Sequence, residues 1–378
     1  MVLFLITLIV IVIIIERWSR KNALKGVKYS SEPSLLLAAP NEEFNLISKL
    51  TNHSRRFISY IRVETILPAR TLVHEAPETT RDNEAPRANE TKRTNKLTEA
   101  ITSNIKSRHI SSEYLKPRST LIRNIKVSMP ARGRYIFTGA RLSGGDFLGL
   151  SETHERAEVH NEIVVYPPEI TDTSMETLMG GFIGDVSVRR FLIEDPIMIS
   201  GFREYTGREP MKSISWLKSA QASEIMVKTF DYTTDPSVSI ILNIELSGEH
   251  TSQEHETLVE SCYSITHTAC RMLEEAGVKY DFYTNAVIYG PIDMWRYVGE
   301  GLGQRHFRMI LEGLGRGSYV YNESFAALMA RAKDSQIGIR SAIIITPGSK
   351  MEAAALAGGQ REGQMITLSA QSLLEKWV

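Results

Sequence analysis

The chain of 378 residues is longer than one ordinary hydrophobic core supports, so we expect two folded domains. Its 42% hydrophobic and 23% charged residues exclude a wholly disordered chain. The formal net charge is zero, but residues 16–150 hold 24 basic and 13 acidic side chains, whereas residues 151–378 hold 20 and 31. A basic half is therefore joined to an acidic half, and the basic half is either an ordinary solvated surface or one attracted to anionic lipid headgroups.

The chain begins with an apolar run. Residues 1–15 carry no ionisable side chain, and Trp18 follows where aromatic residues favour the membrane interface. The run is shorter than the roughly 20 residues that span a bilayer, so a secretory signal and a core or interfacial helix are the alternatives. No basic residue precedes the run and no small-x-small cleavage site follows it, which favours a membrane anchor over residues 1–18. Basic residues after the run predict a single-pass protein of the cell membrane whose domains face the cytoplasm.

Short apolar stretches separated by turn residues come next and predict an Ig-like β-sandwich over residues 30–170. The predicted strands are Ser34–Leu37, Phe44–Leu50, Phe57–Leu67, Ser119–Val127, Gly133–Leu142 and Glu162–Tyr166. Residues 74–108 are rich in charge and poor in apolar side chains, so we interpret them as a solvated insertion. We interpret His154, Glu155 and His160 as surface residues of a charged connection.

Strand-like and helical patterns alternate from Val238 onward, which predicts a three-layer α/β domain over residues 237–378. The predicted strands are Val238–Ile244, Val278–Thr284, Ile339–Ile345 and Met365–Leu368, and the predicted helices are Gln253–Glu275, Gln304–Leu314, Ser324–Ala332 and Ala353–Leu356. Gly299, Gly301 and Gly303 do not follow a predicted strand, so we interpret them as a turn rather than a phosphate-binding loop.

The two cysteines, Cys262 and Cys270, lie in the first of these helices. Their spacing separates them by about 12 Å along the helix axis, which is too far for a disulfide bond. The absence of a disulfide framework is typical of a reducing compartment. We interpret both side chains as small hydrophobic residues on the apolar helix face.

Between the two predicted domains, residues 171–236 form a junction with a dense set of motifs: Gly201-Phe202-Arg203-Glu204-Tyr205, Glu209-Pro210, Ile214-Ser215-Trp216-Leu217-Lys218-Ser219-Ala220 and Ile225-Met226-Val227-Lys228. These motifs resemble the signature G-x-R-E-Y, D-P, I-x-W-K-x-S-A and L-x-V-K/R of the bacterial domain of unknown function 58 family. Glu209 stands where that signature usually has aspartate. Three upstream segments are similar to the family's sandwich-closing region: Arg132–Tyr135, Asp146–Leu150 and Val164–Pro167.

The resemblance implies a membrane anchor, a β-sandwich and a von Willebrand A-like α/β domain, although family members commonly have two membrane segments. It also implies a membrane-tethered scaffold or adaptor that binds proteins, namely a MoxR-type AAA ATPase and other A-domain proteins, with no nucleic-acid partner expected. The family's biochemical process is unsettled.

The signature residues Arg203, Glu204, Tyr205, Trp216 and Lys218 are the candidate partner-binding residues. An arginine that stacks on an indole while it pairs with a carboxylate makes a rigid and specific contact. The same residues could instead brace the first strands of the α/β domain, and both interpretations remain open.

A von Willebrand A-like domain holds Mg²⁺ with a D-x-S-x-S motif after its first strand, because a carboxylate and two hydroxyls supply hard oxygen ligands. The matching positions here are Asn243, Glu245 and Ser247. An amide replaces the anionic first ligand and a bulkier carboxylate replaces one hydroxyl, so we interpret the site as degenerate and predict no metal and no other cofactor.

Motifs of common enzymes are also missing, since the sequence has no G-x-x-x-x-G-K-[ST], H-E-x-x-H or G-x-S-x-G segment. We therefore expect no catalytic residues. Two alternatives to a scaffold remain: a metal-dependent ligand-binding A-domain protein, and a hydrolase.

Overall fold

The computed structural model describes residue 17 and residues 24–74, 78–81, 108–145, 152–189, 199–230, 237–246, 248, 251–290, 295–334, 341–348 and 365–374. The chain divides after Tyr166 into two compact units, Met1–Tyr166 and Pro167–Val378.

The first unit is a β-sandwich of two sheets. Its strands are β1 (Val27–Pro33), β2 (Leu37–Ala38), β3 (Phe44–Asn52), β4 (Ile58–Ile66), β5 (Leu72–Val73), β6 (Glu78–Arg81), β7 (Arg108–Leu115), β8 (Thr120–Ser128), β9 (Gly133–Gly145) and β10 (Glu152–Val165). One sheet has the order β1-β3-β8-β5, with β6 also paired to β8, and the other has the order β2-β10-β9-β4-β7. Buried positions alternate along β3 and β8, as expected for strands with one face toward a core. The predicted β-sandwich is thus confirmed.

One polar strand of this unit, β7, and the first part of another, β10, were not predicted from the sequence. β7 borders the predicted insertion, and β10 begins at Glu152, so His154, Glu155 and His160 lie in a strand rather than in a connection. β10 pairs with β9 along most of its length, and these backbone hydrogen bonds hold a charged segment extended without apolar alternation. Of the predicted insertion, residues 75–77 and 82–107 lie outside the described residues.

The second unit contains α1 (Thr173–Arg189), β11 (Ile199–Glu204), α2 (Trp216–Ala222), β12 (Met226–Phe230), β13 (Ser237–Leu242), α3 (Ser252–Glu275), β14 (Lys279–Thr284), β15 (Ala286–Ile288), β16 (Tyr297–Gly301), α4 (Gln304–Arg316), β17 (Gly317–Tyr321), α5 (Phe325–Asp334), β18 (Ser341–Thr346), β19 (Met365–Ser369) and α6 (Ala370–Leu374). Its main sheet has the order β16-β14-β13-β18-β19, and β11-β12 and β15-β17 form two smaller sheets. Neighbours in the main sheet run parallel, except that β16 is antiparallel to β14.

The main sheet is buried on both faces. β18 is buried at every position and β13 at all positions but its first, which explains why both read as continuous apolar runs. α5 packs against Ile241, Tyr283 and Ile344 on one face. The alternate residues of these strands are also buried, and α3 contacts β13, β14 and β18. Helices therefore cover both faces of the sheet.

The long helix α3 is capped at both ends. At its start, the Thr251 hydroxyl accepts from the Glu254 backbone amide, and the Glu254 carboxylate accepts from the Thr251 amide. At its end, Gly277 has a φ of 67°, a left-handed conformation that favours glycine.

The predicted glycine turn is wrong, because Gly299 and Gly301 lie in the edge strand β16 and Gly303 precedes α4. A Cβ at position 301 would lie 2.5 Å from the His306 ring, so close packing rather than a turn accounts for this glycine. Helix α1 was not predicted. The predicted helix Ala353–Leu356 lies outside the described residues.

Among the residues that the structure describes, no helix is long and apolar enough to cross a bilayer. This finding contradicts the predicted membrane helix and the single-pass localisation built on it. The predicted anchor, residues 1–18, lies outside the described residues except for Arg17. Its length was the physical weakness of the prediction, because fifteen residues of α-helix extend about 22 Å whereas the hydrocarbon core is about 30 Å thick.

Candidate functional site

The strand order of the main sheet reverses at β13. The chain passes from β13 to its neighbour β14 and then returns to β18 on the opposite side of β13. In open parallel sheets, ligands bind at the carboxyl ends of the strands where the order reverses. Buried polar residues lie at this edge, among them Asn243 after β13, Asn285 after β14 and Thr346 at the end of β18.

These polar groups form a closed hydrogen-bond network. The Asn285 Nδ2 donates to Asn243 Oδ1 at 2.7 Å, and the Glu245 backbone amide donates to the same oxygen at 3.0 Å. The Asn243 Nδ2 in turn donates to the Thr346 hydroxyl at 3.2 Å and to the Glu245 carbonyl at 3.1 Å. The Asn243 amide thus uses both its oxygen and its nitrogen within the protein.

Backbone groups fix which way the Asn285 amide points. Its Oδ1 accepts from the Ile244 backbone amide at 2.9 Å, and its Nδ2 donates to the Glu323 carbonyl at 3.3 Å. Since a flipped amide would face a donor with its nitrogen and an acceptor with its oxygen, the orientation is determined by the network.

Glu245, the second residue of the degenerate motif, hydrogen-bonds to the start of a helix. Its carboxylate accepts from the Phe325 backbone amide at 2.5 Å, at the first residue of α5. A carboxylate is favourable there because the first amides of a helix lack intrahelical partners and carry partial positive charge. Ser247, the third residue of the motif, lies outside the described residues.

This donor set does not fit a divalent cation. The oxygen of Asn243 already accepts two hydrogen bonds, and the group nearest to it is the NH₂ of Asn285, a donor rather than an oxygen ligand. Within the described ranges, no group of three or more His, Cys, Asp or Glu side chains could hold a metal ion.

Beside β14, the same edge carries an ion-pair cluster that the sequence analysis missed. The Glu323 carboxylate lies 2.6 Å from the Arg331 guanidinium and 3.4 Å from that of Arg296. Arg331 also donates to the Thr284 carbonyl at 2.9 Å, and burial lowers the pKa of its guanidinium. Arg296 is distant in sequence from Glu323 and Arg331, so no local sequence pattern reveals the association of the three residues.

The second candidate site is the signature hairpin, which we define as residues 199–230. β11 pairs antiparallel with β12, and the Tyr205 amide extends the pairing by donating to the Ile225 carbonyl at 2.8 Å. Glu209 organises the connection: it accepts from the Thr206 hydroxyl at 2.7 Å and lies 2.6 Å from the Arg203 guanidinium. The Thr206 hydroxyl, with Arg203 beside it, lowers the pKa of Glu209 to about 2.

The short helix α2 is attached to the hairpin by a serine. The Ser219 hydroxyl donates to the Ser215 carbonyl at 2.8 Å and accepts from the Met226 amide of β12 at 2.8 Å. Ile214 bridges to Val227, and both side chains are buried. The motif thus corresponds to a small unit held together by its own hydrogen bonds.

Trp216 and its neighbours do not interact as the sequence analysis expected. Arg203 pairs with Glu209, Glu204 is exposed on β11, and among the described residues no arginine lies over the Trp216 indole. Instead, the Lys218 ammonium lies 5.7 Å from the centre of the Phe202 ring. The indole of Trp216 is left 64% exposed.

The buried titratable groups of α3 have packing roles. Cys262 and Cys270 are fully buried free thiols whose pKa values are raised by burial. The pKa of His267 is lowered by burial, and its Nδ1 lies 2.8 Å from the Pro167 carbonyl. These contacts supply no arrangement of a nucleophile and a base, so they do not favour the hydrolase alternative.

No protein-family model and no curated protein matches the sequence. Solved structures that are similar to part of the chain include the CARDB domain of a Pyrococcus furiosus protein, at 8% identity and a TM-score of 0.22, which covers 37% of this chain and 86% of that one. A cohesin module from a Clostridium perfringens glycoside hydrolase has 8% identity and a TM-score of 0.23, and covers 37% and 96%. A non-cellulosomal cohesin from Archaeoglobus fulgidus has 10% identity and a TM-score of 0.22, and covers 40% and 96%. Scores this low support no functional argument, and the β-sandwich is assigned from its own strand order.

Proposed function

We propose that the protein is a protein-binding scaffold or adaptor of the domain of unknown function 58 type, and that it works with a MoxR-type AAA ATPase. The observation that carries the proposal is the exposure of large apolar side chains on the ordered signature hairpin. Met211 is 71% exposed, Trp216 64% and Leu217 73%.

Exposed apolar side chains on an ordered unit favour a binding surface over a brace. A residue that braces neighbouring strands is buried by them, whereas these three lie in solvent within a unit whose own core is Ile214 and Val227. Tryptophan is over-represented among the residues that contribute most to protein–protein binding, and clustered exposed apolar groups often mark interaction sites. The signature hairpin therefore fits a partner protein.

The remaining signature residues would stabilise the conformation of this surface. Arg203 and Glu209 fix the connection after β11, and Tyr205 continues the strand pairing through its backbone. Lys218 lies on α2, and its ammonium lies 5.7 Å from the centre of the Phe202 ring of β11.

The second unit supports the finer assignment of a von Willebrand A-like domain through its parallel sheet, its helices on both faces and its polar edge at the carboxyl ends of the strands. Because the Asn243 network does not fit a cation, we favour partner binding without a metal over the metal-dependent alternative.

A pull-down tests the proposal. The full chain, immobilised by a tag, is offered the MoxR-type ATPase of the same organism, and the wild type is compared with a Trp216→Ala, Leu217→Ala variant. We expect the wild type to retain the ATPase and the double variant to lose at least about tenfold in affinity, which corresponds to the removal of two exposed anchors.

Leu36→Ala is the matched control, because Leu36 is a comparably exposed apolar residue of the β-sandwich. Its affinity for the ATPase should equal that of the wild type. Equal retention by the wild type and the Trp216, Leu217 variant, or no retention by either, would reject the proposed function.

A further inference from the structure

The signature hairpin contains a two-stranded sheet whose two outer edges differ. On β12, the Met226 backbone carbonyl accepts from the Ser215 amide at 2.8 Å, and the Met226 amide donates to the Ser219 hydroxyl at 2.8 Å. Residues 214–219 therefore close the outer edge of β12. Within the described parts of the chain, no strand pairs with the other outer edge, which belongs to β11.

The pairing with β12 determines which backbone groups of β11 point to this edge. The Tyr205 amide donates to the Ile225 carbonyl at 2.8 Å, so the backbone groups of Tyr205 face β12. Successive residues of a strand direct their N–H and C=O groups to opposite sides. The backbone groups of Phe202 and Glu204 therefore point away from β12. The outward hydrogen bonds of Met226, the residue opposite Glu204, agree with this alternation.

The edge of β11 is accessible as well as unpaired. Five of the six residues of β11 are exposed, and the Phe202 side chain is 38% exposed. A register shift between Ile199 and Gly201 limits the regular part of the edge to Gly201–Glu204. An unpaired strand edge is a template for another strand, and a sheet of only two strands is marginally stable in water. A third strand would thus stabilise the hairpin.

This edge adjoins the apolar surface to which the proposed function assigns the partner protein. The Lys218 ammonium of α2 lies 5.7 Å from the centre of the Phe202 ring, and α2 also carries Trp216 and Leu217. A helix of this length extends only about 10 Å. A protein that binds α2 therefore comes within reach of the β11 edge.

We propose that the partner protein adds an extended segment to β11 as a third strand, a step that rests on the proposed function because the hairpin must be where that partner binds. The backbone of the segment exchanges hydrogen bonds with Phe202 and Glu204. A β-branched or aromatic residue lies opposite Phe202, where such cross-strand pairs are favourable. A helix does not suit this edge, because its backbone groups are already bonded to each other.

The first experiment uses the full chain labelled with ¹⁵N-phenylalanine and the peptide acetyl-Lys-Thr-Val-Thr-Val-Thr-Lys-amide. A twin peptide is methylated at the backbone nitrogens of its central residues, so it keeps its side chains but cannot donate from either edge. The Phe202 amide signal is assigned with Phe202→Leu. We expect a saturable shift and slower hydrogen exchange of this amide with the first peptide, and at least about tenfold weaker binding of the twin.

A pair of variants isolates the backbone N–H of position 204. Glu204→Pro and Glu204→Ala both lack the carboxylate, but only the proline lacks the donor. Proline is compatible with an edge strand when its nitrogen faces solvent. The peptide should bind Glu204→Pro at least about tenfold more weakly than Glu204→Ala, and we expect the same order of affinities for the ATPase in the pull-down.

Failure of the strand addition can be told apart from failure of the proposed function. If the wild type does not retain the ATPase, the proposed function is rejected, and the two peptides still decide whether β11 accepts a strand. If the Trp216→Ala, Leu217→Ala variant loses the ATPase while Glu204→Pro and Glu204→Ala retain it equally, the partner binds α2 without adding a strand, and the strand addition is rejected.

Three results with the peptides would also overturn the proposal. They are no saturable shift of the Phe202 amide, equal binding of the peptide and its twin, or equal binding by Glu204→Ala and a Glu204→Pro variant that circular dichroism shows to be folded. If the proline variant does not fold, the two peptides on the wild type decide. A wild-type dimer that excludes the peptide and is absent from Glu204→Pro would assign the edge to a second copy of the chain instead.

Discussion

Asn285 donates its side-chain amide to the side-chain oxygen of Asn243 at 2.7 Å, and this bond joins the ends of the neighbouring parallel strands β13 and β14. Both residues are buried. At the position where a parallel sheet commonly binds a ligand, the side-chain amides of Asn243 and Asn285 are thus hydrogen-bonded to each other. The hydrogen-bonding capacity of this edge is used for stability, and the accessible charged groups lie beside it at Arg296 and Arg331.

The first prediction concerns divalent cations. Millimolar Mg²⁺ or Mn²⁺ should leave the melting temperature unchanged relative to NaCl of equal ionic strength, because the Asn243 oxygen faces a donor and carries no charge. A bound ion would stabilise the native state by mass action. A saturable rise of the melting temperature with Mg²⁺ is the result that would restore the metal-dependent alternative.

The second prediction concerns the polarity of the Asn243 amide. In Asn243→Asp an oxygen replaces the nitrogen that donates to the Glu245 carbonyl and the Thr346 hydroxyl. Two oxygens would then face each other in a buried site, so we expect the free energy of unfolding in urea to fall by about 1–3 kcal/mol. Asn322→Asp, at an exposed position, is the control and should stay within about 0.5 kcal/mol of the wild type.

Periodicity was sufficient to predict the elements that bury an apolar face. The predicted stretches Phe57–Leu67, Gln253–Glu275 and Met365–Leu368 each overlap an observed element closely. In the first two, apolar residues recur at the strand or helix period because one side packs on a core, whereas Met365–Leu368 is a short, nearly continuous apolar run in the main sheet. A hydrophobic pattern of this kind lies within one element, so the sequence of that element is enough to reveal it.

Elements that depend on distant partners could not be predicted in this way. β10 is polar along much of its length and is extended because β9 pairs with it. The cluster of Arg296, Glu323 and Arg331 likewise forms only when Arg296 comes together with the distant segment that carries Glu323 and Arg331. The Asn243 position was found from its motif spacing, but its partner Asn285 lies 42 residues away and had no signal of its own.

The third prediction concerns acid and the signature hairpin. The pKa of Glu209 is lowered to about 2, so its contribution to stability is complete above the unfolded value of about 4.5 and is lost as the pH falls toward 2. The stability difference between the wild type and Glu209→Gln should therefore shrink between pH 4.5 and pH 2. Glu204→Gln, exposed on β11, should show no comparable convergence. A difference that is constant over this interval contradicts the assigned role of Glu209.

The fourth prediction concerns the two cysteines. Both thiols are fully buried and free, and burial raises their pKa values, so neither is accessible or ionised in the native protein. A thiol-reactive chromophore at pH 8 should detect no rapidly reacting cysteine in the native chain and two in denaturant. Fast labelling of either cysteine without denaturant would mean that α3 is not packed as described.

The last prediction concerns His267, which attaches the start of the second unit to α3. Its Nδ1 lies 2.8 Å from the Pro167 carbonyl, and the charged groups near its ring are Glu169, with an oxygen 3.5 Å from Nε2, and Arg271. Burial lowers the pKa of His267 below its ordinary value of 6.5 and outweighs the hydrogen bond to Pro167 and the charge of Glu169, which raise it. The native imidazole is therefore neutral where the unfolded one is already protonated.

Because the unfolded chain binds this proton more readily, the contribution of His267 to stability is complete above about pH 6.5 and decreases as the pH falls through that value toward the lower native pKa. In His267→Gln the side chain has no charge at any pH, and its amide can still donate toward the Pro167 carbonyl. Urea unfolding at pH 7.5 and pH 5.5 should show the wild type losing stability relative to His267→Gln. His109 and His306, whose pKa values are also lowered by burial, are present in both proteins and cancel in the comparison. His255→Gln, on the first turns of the same helix, should keep the wild-type slope. If the His267→Gln curve instead runs parallel to the wild type between these pH values, the imidazole is not held neutral against Pro167, and the contact between this segment and α3 must be reconsidered.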